Sequence, residues 1–184
     1  RKTYPALRGS VMRDFFEVLE NARIYDPNHH NKSESTYKLF GNLVEFISID
    51  QPQKVRGRKR DMLFINECNN IPFDAYQQLA IRTSGTIWLD YNPTNLFWVD
   101  KELLNQPDTD FVTLTYRDND TLSDSIIKEL LKARQKAKTS TYWKNWCRVY
   151  LDGEIGSLEG VCIPDWKEID SIPIQARLLG YGMD

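Results

Sequence analysis

Residues Arg60-Asp61-Met62-Leu63-Phe64-Ile65-Asn66-Glu67 constrain this chain more than any other stretch. A charged lead-in gives way to four apolar residues and then, abruptly, to a carboxamide beside a carboxylate. Such a short apolar run predicts a buried parallel strand, and α/β sheets place their ligands in the crevice at the carboxyl ends of such strands. This is the layout of a Walker B strand. There, Glu67 would polarise the water that attacks a nucleotide γ-phosphate and Asn66 would lie near the magnesium shell, because phosphoryl transfer rests mostly on positioning and charge stabilisation. The simpler alternative is a core strand whose terminal Asn and Glu cap the next helix.

The 184 residues are enough for one domain with its own core and a piece of a second. Lys and Arg total 24 against 26 Asp and Glu, so any DNA contact must be a local patch rather than a global basic excess. Cys68, Cys147 and Cys162 have no CxxC spacing and the two histidines are adjacent at His29-His30, which argues against a zinc site and for reduced thiols. No apolar run approaches the roughly 18 residues of a membrane span, and the start does not read as a signal peptide. The sequence holds no GxxxxGK[ST] loop to cradle phosphates.

Along the chain, Arg1 to Tyr4 reads as extended, and Pro5 and Ser10 open a helix of about residues 9 to 22 on which Val11, Phe15, Val18 and Leu19 recur at helical spacing. Asp26 to Ser35 reads as a polar loop. Thr36–Phe40 and Leu43–Ile49 flank Gly41-Asn42 as a hairpin. Lys54 to Arg60 carries five positive charges in seven residues; it is a solvated loop, a source of a phosphate-stabilising arginine, or a track for DNA phosphates. A short helix is expected over Phe73–Ile81, with Arg82 after it as a further phosphate sensor. The run Thr86–Leu89 then forms a strand ending in Asp90-Tyr91-Asn92-Pro93-Thr94. Pro93 stops that strand and leaves the Asn92 amide at its tip, to meet phosphate or catalytic water, or merely to begin a turn.

Further on, a helix is expected over Leu96–Leu104 and a strand over Phe111–Tyr116. Ser123 or Asp124 caps a helix to about Ala137, with Ile126, Ile127, Leu130 and Leu131 inside and Lys128, Lys132, Arg134, Lys136 and Lys138 largely outside. A second helix, Thr141–Leu151, carries Tyr142, Trp143, Trp146 and Tyr150, read as packing rather than as a base-stacking platform. Gly153, Gly156 and Gly160 mark a boundary near residues 153–175. Arg177 to Asp184 reads as one more strand ending in acid.

Six segments, in order, resemble the large terminase subunit of tailed bacteriophages, the motor that pumps DNA into a capsid. Arg1-Lys2-Thr3-Tyr4-Pro5 with Leu7 and Ser10 is similar to the end of that family's second ATPase strand and the following helix. Lys54-Val55-Arg56-Gly57 is similar to the basic turn before its Walker B strand, Leu89 to Thr94 to its coupling strand, and Thr115-Tyr116-Arg117-Asp118-Asn119 to the next strand end. Gly153-Glu154-Ile155-Gly156 and Gly180-Tyr181-Gly182-Met183-Asp184 resemble the passage from motor to nuclease.

The resemblance covers nearly the whole chain and implies an α/β fold. Residues 1–152 would be part of a P-loop, RecA-like ATPase sheet with flanking helices, its P-loop lying upstream of Arg1. Residues 153–175 would be a linker, and 176–184 the first strand of an RNase H-like nuclease domain. The intact protein would be an ATPase using ATP and Mg2+ and an endonuclease using Mg2+ or Mn2+, with the fragment alone inactive. By resemblance Glu67 orients the lytic water, Asn66 holds the hydrated magnesium, Arg56 stabilises γ-phosphate charge, Asn92 links hydrolysis to movement, and Asp184 is a nuclease metal ligand. The implied partners are double-stranded DNA, the portal protein, the small terminase subunit and further copies in a ring, with no membrane. The implied location is the host cytoplasm, transiently on the procapsid and not secreted. The rivals are a helicase-like DNA translocase on the same fold and a non-enzymatic assembly or DNA-binding subunit with a degenerate ATPase fold. One departure stands out: a Walker B strand normally offers aspartate where this chain has Asn66, and an amide lacks the full negative charge.

Overall fold

The computed structural model describes residues 1–50 and 59–156. The expectations for Arg56, for the linker beyond residue 156 and for Asp184 lie outside the described residues. What is described is mixed α/β, with small sheets and flanking helices.

The first helix starts earlier than its apolar spacing predicts. Helix α1 (Tyr4–Leu7) tolerates Pro5 because the first helical turn needs no N–H from it. It passes through a widened turn at Arg8–Met12 into α2 (Arg13–Asn21). There the Ser10 hydroxyl donates to the Ala6 carbonyl at 2.7 Å, a bond back along the helix that competes with the regular ladder. Leu7, Met12 and Phe46 make a small core with Phe15 and Phe16 packed against it.

Beside it stands an antiparallel sheet in the order β1 (His30–Asn31), β2 (Thr36–Leu39), β3 (Asn42–Glu45). The stretch expected as a loop thus contributes an edge strand. His30 is drawn in by aromatic packing: its ring stacks on Phe16 at 4.1 Å and its Nδ1 pairs with the Tyr25 hydroxyl at 2.9 Å. The hairpin turn also falls one residue earlier than expected. Leu39 pairs with Asn42, so the turn is Phe40-Gly41, with φ of 49° and 82°. Two left-handed residues in succession match the right-handed twist of the strands, which is what decides the register.

The second unit is β4 (Leu63–Ile65), α3 (Phe73–Ala80) and β5 (Ile87–Leu89), in which the helix lies between two parallel strands in the chain. Ile65, Cys68, Ile71, Leu79 and Val99 form its core, and burying Ile65 alone contributes about 1.5–3 kcal/mol. The strand is not buried on both faces as expected. Phe64 and Trp88, opposite each other in register, are 53% and 59% exposed among the described residues. Helix α4 (Trp98–Glu102) is shorter than expected and donates the Trp98 indole N–H to the Ile71 carbonyl at 2.7 Å.

The strand expected at Phe111–Tyr116 does not form among the described residues. Val112 and Leu114 stay exposed, and Thr115 and Asp118 cap each other over a short turn at Tyr116–Asp118. β-branched residues favour a strand only where a neighbouring strand receives them, and none does so among the described residues. Helices α5 (Asp124–Lys136) and α6 (Thr141–Tyr150) form close to the expected bounds, the first behind Ser123 as expected and the second behind Ser140, whose hydroxyl accepts the Trp143 N–H. The packed stripe is shifted, however. Leu130, Ala133 and Ala137 meet Trp143, Trp146, Cys147 and Leu151, whereas Ile126 and Leu131 remain about half exposed. Arg134, expected among the outward cations, instead forks onto Asp152 with one bond at 3.0 Å. After α6 the chain returns to β5: the Gly156 N–H donates to the Pro93 carbonyl at 2.8 Å. A Cβ at 156 would sit 2.4 Å from the Thr94 carbonyl oxygen.

Phenylalanine is a poor occupant of the left-handed position 40, where it is 80% exposed. Phe40→Asn should stabilise the chain by about 0.5–1 kcal/mol, read as a higher denaturation midpoint; an unchanged or lower midpoint would refute this account of the turn.

Candidate functional site

Parallel pairing sets Ile65 opposite Leu89, so the next residues, Asn66 and Asp90, stand side by side just beyond the ladder. The backbone keeps them there. The Asp90 N–H donates to Ile65 O at 3.2 Å and the Cys68 N–H to Asp90 O at 2.9 Å, so pairing bridges across Asn66 and Glu67. Between these bonds Glu67 adopts φ 51° and ψ 57°, the left-handed region. A non-glycine residue there costs roughly 1–3 kcal/mol and persists only where its surroundings hold it.

The side chains of the two tips interlock. The Asp90 carboxylate accepts the Glu67 N–H at 2.6 Å and the Asn66 amide N–H2 at 2.9 and 3.0 Å. Arg1 Nη1 donates to Asn66 Oδ1 at 2.6 Å and forms an ion pair with Glu67 Oε2 at the same distance. Asn70, one turn on, adds a bond to the same Glu67 oxygen at 3.1 Å. Arg1 reaches this place because its carbonyl and that of Lys2 accept the N–H groups of Ile49 and Asp50, fixing the first residues beside the strand that leads out of the hairpin. The outcome is a polar edge of Arg1, Asn66, Glu67, Asn70 and Asp90. Among the described residues Glu67 Oε1 takes no hydrogen bond, so one carboxylate oxygen is left for a ligand.

A family model described as phage terminase large subunit matches residues 1–154. The chain belongs to the phage terminase large subunit family. No curated protein matches it.

Within this terminase chain, the candidates fall in distinct places. Asn66 and Glu67 are brought together at the tip of β4. Asn92 is exposed two residues beyond Asp90 and makes no side-chain hydrogen bond among the described residues; the residue of its strand that joins Asn66 and Glu67 is Asp90. Arg82 is ruled out as a sensor at these tips. It lies beside Arg60 at the opposite end of the β4–β5 ladder, its guanidinium turned onto Gln78. The sequence reading passed over Asp90 and Arg1. A strand ending in acid was the signal that singled out Glu67, and Leu89-Asp90 carries the same signal; nothing local marks Arg1. Among the described residues no group of three or more His, Cys, Asp or Glu gathers to hold a metal, and no helix is long and apolar enough to cross a membrane.

Directly under the tips lies Cys68, fully buried. Burial, with the Asp90 charge adding to it, pushes its thiol from 9.0 up to about 12; burial likewise pushes the Tyr91 hydroxyl up to about 12. A thiol so held is a packing group and not a nucleophile. Because both groups are kept neutral in the fold, their contribution is complete below 9.0, where the unfolded thiol begins to ionise, and is lost as pH rises towards 12. Denaturation midpoints should therefore fall across that alkaline range, and less steeply in Cys68→Ala; equal slopes would remove Cys68 from the account.

Proposed function

We propose that the β4 and β5 tips are the hydrolytic edge of an ATP-driven motor that moves viral double-stranded DNA, and that the full-length protein also cleaves that DNA. The observation that carries the reading is Glu67: a carboxylate at a strand tip, in a strained left-handed backbone, pinned through one oxygen by Arg1 and Asn70 and with the other left for water. A group that orients attacking water needs this kind of fixed aim, and stored strain clusters at such positions.

Magnesium keeps several of its waters and asks the protein for one or two carboxylates beside the substrate phosphates. The tips fit that demand: Glu67 and Asp90 supply carboxylates and Asn66 an amide on one edge. When bound, the ion would neutralise charge on the phosphates. Glu67 then accepts a proton from, or aligns, the attacking water, while Asp90 and Arg1 hold Asn66 and Glu67 in place. Arg56, on the basic turn, would stabilise γ-phosphate charge, and Asn92 would link hydrolysis to movement. The phosphates themselves would be cradled by a P-loop preceding Arg1. In the nuclease, Asp184 would contribute one carboxylate to a two-metal site.

The partners that follow are double-stranded DNA, the portal protein, the small terminase subunit and further copies in a ring, met in the host cytoplasm and on the procapsid. A non-enzymatic assembly role draws its support from the amide at position 66. The two readings part at one residue. In the full-length gene product Glu67→Gln should keep ATP affinity while lowering turnover by about two or more orders of magnitude, measured by phosphate release. Near-normal turnover would take Glu67 out of the chemistry, and no ATP affinity in the parent protein would favour the assembly role.

A further inference from the structure

Resting on the reading of these tips as a nucleotide site, we propose that the acidic charge absent from position 66 is supplied by Asp90 on the neighbouring strand. Asn66 and Asp90 act as an exchanged pair serving the divalent cation of a nucleoside triphosphate.

The orientation of the Asn66 amide carries the argument. Its N–H2 faces both oxygens of the Asp90 carboxylate, and its carbonyl faces the Arg1 guanidinium. Turning the amide over would set carbonyl against carboxylate and N–H2 against guanidinium, so only one orientation satisfies both neighbours. An aspartate at 66 would fail on the first side, since two carboxylates at hydrogen-bond distance resist being ionised together. Asn66 is therefore the residue that Asp90 requires beside it.

Register explains why the charge can move without leaving the edge. With Ile65 opposite Leu89, residues 66 and 90 are equivalent positions on adjacent tips, and the carboxylate has shifted by one strand spacing of about 4.8 Å. Asp90 also has capacity to spare. A carboxylate offers about four acceptor sites, and among the described residues Asp90 receives only the Asn66 amide nitrogen and the Glu67 N–H. It can thus hold Glu67 in its left-handed backbone and still accept a bond from a water of the cation. The departure at Asn66 is on this account half of a compensated pair.

The test is the cycle Asn66→Asp, Asp90→Asn and the double exchange in the full-length gene product. Two quantities are read: the melting temperature without nucleotide, and ATP affinity with Mg2+ compared with EDTA. Asn66→Asp should lower the melting temperature, and Asp90→Asn should weaken the Mg2+-dependent affinity about 10–100-fold while leaving the affinity in EDTA unchanged. The double exchange should recover most of both losses. If either single variant does not fold, recovery of a folded, Mg2+-responsive protein by the exchange decides the matter. Asp90→Asn with the parent's Mg2+ dependence, or an exchange no better than its two singles combined, would overturn the pairing and leave the nucleotide site standing. A parent protein whose ATP affinity ignores Mg2+ would overturn that site and the pairing with it.

Discussion

The Asp90 carboxylate accepting the Glu67 N–H at 2.6 Å is the contact on which the strand tips depend. Left-handed backbone at a glutamate is unfavourable by itself, and the short bond that its N–H donates to the Asp90 carboxylate offsets it. The same carboxylate holds the Asn66 amide, so one side chain on β5 sets the conformation of the last two residues of β4. Ladder bonds on both sides, from Asp90 to Ile65 and from Cys68 to Asp90, keep the acceptor where the donor needs it.

Beneath this polar edge the packing is apolar and unreactive. Cys68 and Ile65 close the core directly under the tips, and Trp98 ties α4 to the turn after Glu67 through the Ile71 carbonyl. A rigid base of this kind is what lets a carboxylate be aimed rather than merely present, because site residues are only as well placed as the shell behind them. Arg1 completes the edge from above, its side chain 15% exposed, with a charge that serves Asn66 and Glu67 together.

The legible parts were those fixed by local chemistry. An apolar run stopped by Asn66-Glu67 gave away β4, Ser123-Asp124 marked the start of α5, and Asp90-Tyr91-Asn92-Pro93 ended β5 where expected. What could not be read depends on contacts distant in sequence. The pairing of Asp90 with Asn66 needs the parallel register, Arg1 lies 66 positions before Glu67, and no glycine or asparagine warns that Glu67 turns left-handed. Phe111–Tyr116 misled for the complementary reason: its composition suits a strand, but composition cannot supply the neighbour that a strand needs. Hairpin register failed by one residue because Gly41-Asn42 is a good turn by composition, and Phe40-Gly41 is the turn that fits the twist.

The bond from Gly156 to Pro93 ties the chain leaving α6 to a point three residues past Asp90. With a Cβ at 156 colliding with Thr94, the two backbones touch with no side chain between them to absorb motion. The position of residue 156 is therefore set directly by the backbone just beyond the β5 tip. Replacing that glycine would push the two backbones apart and break the direct contact between the end of α6 and the segment that follows β5.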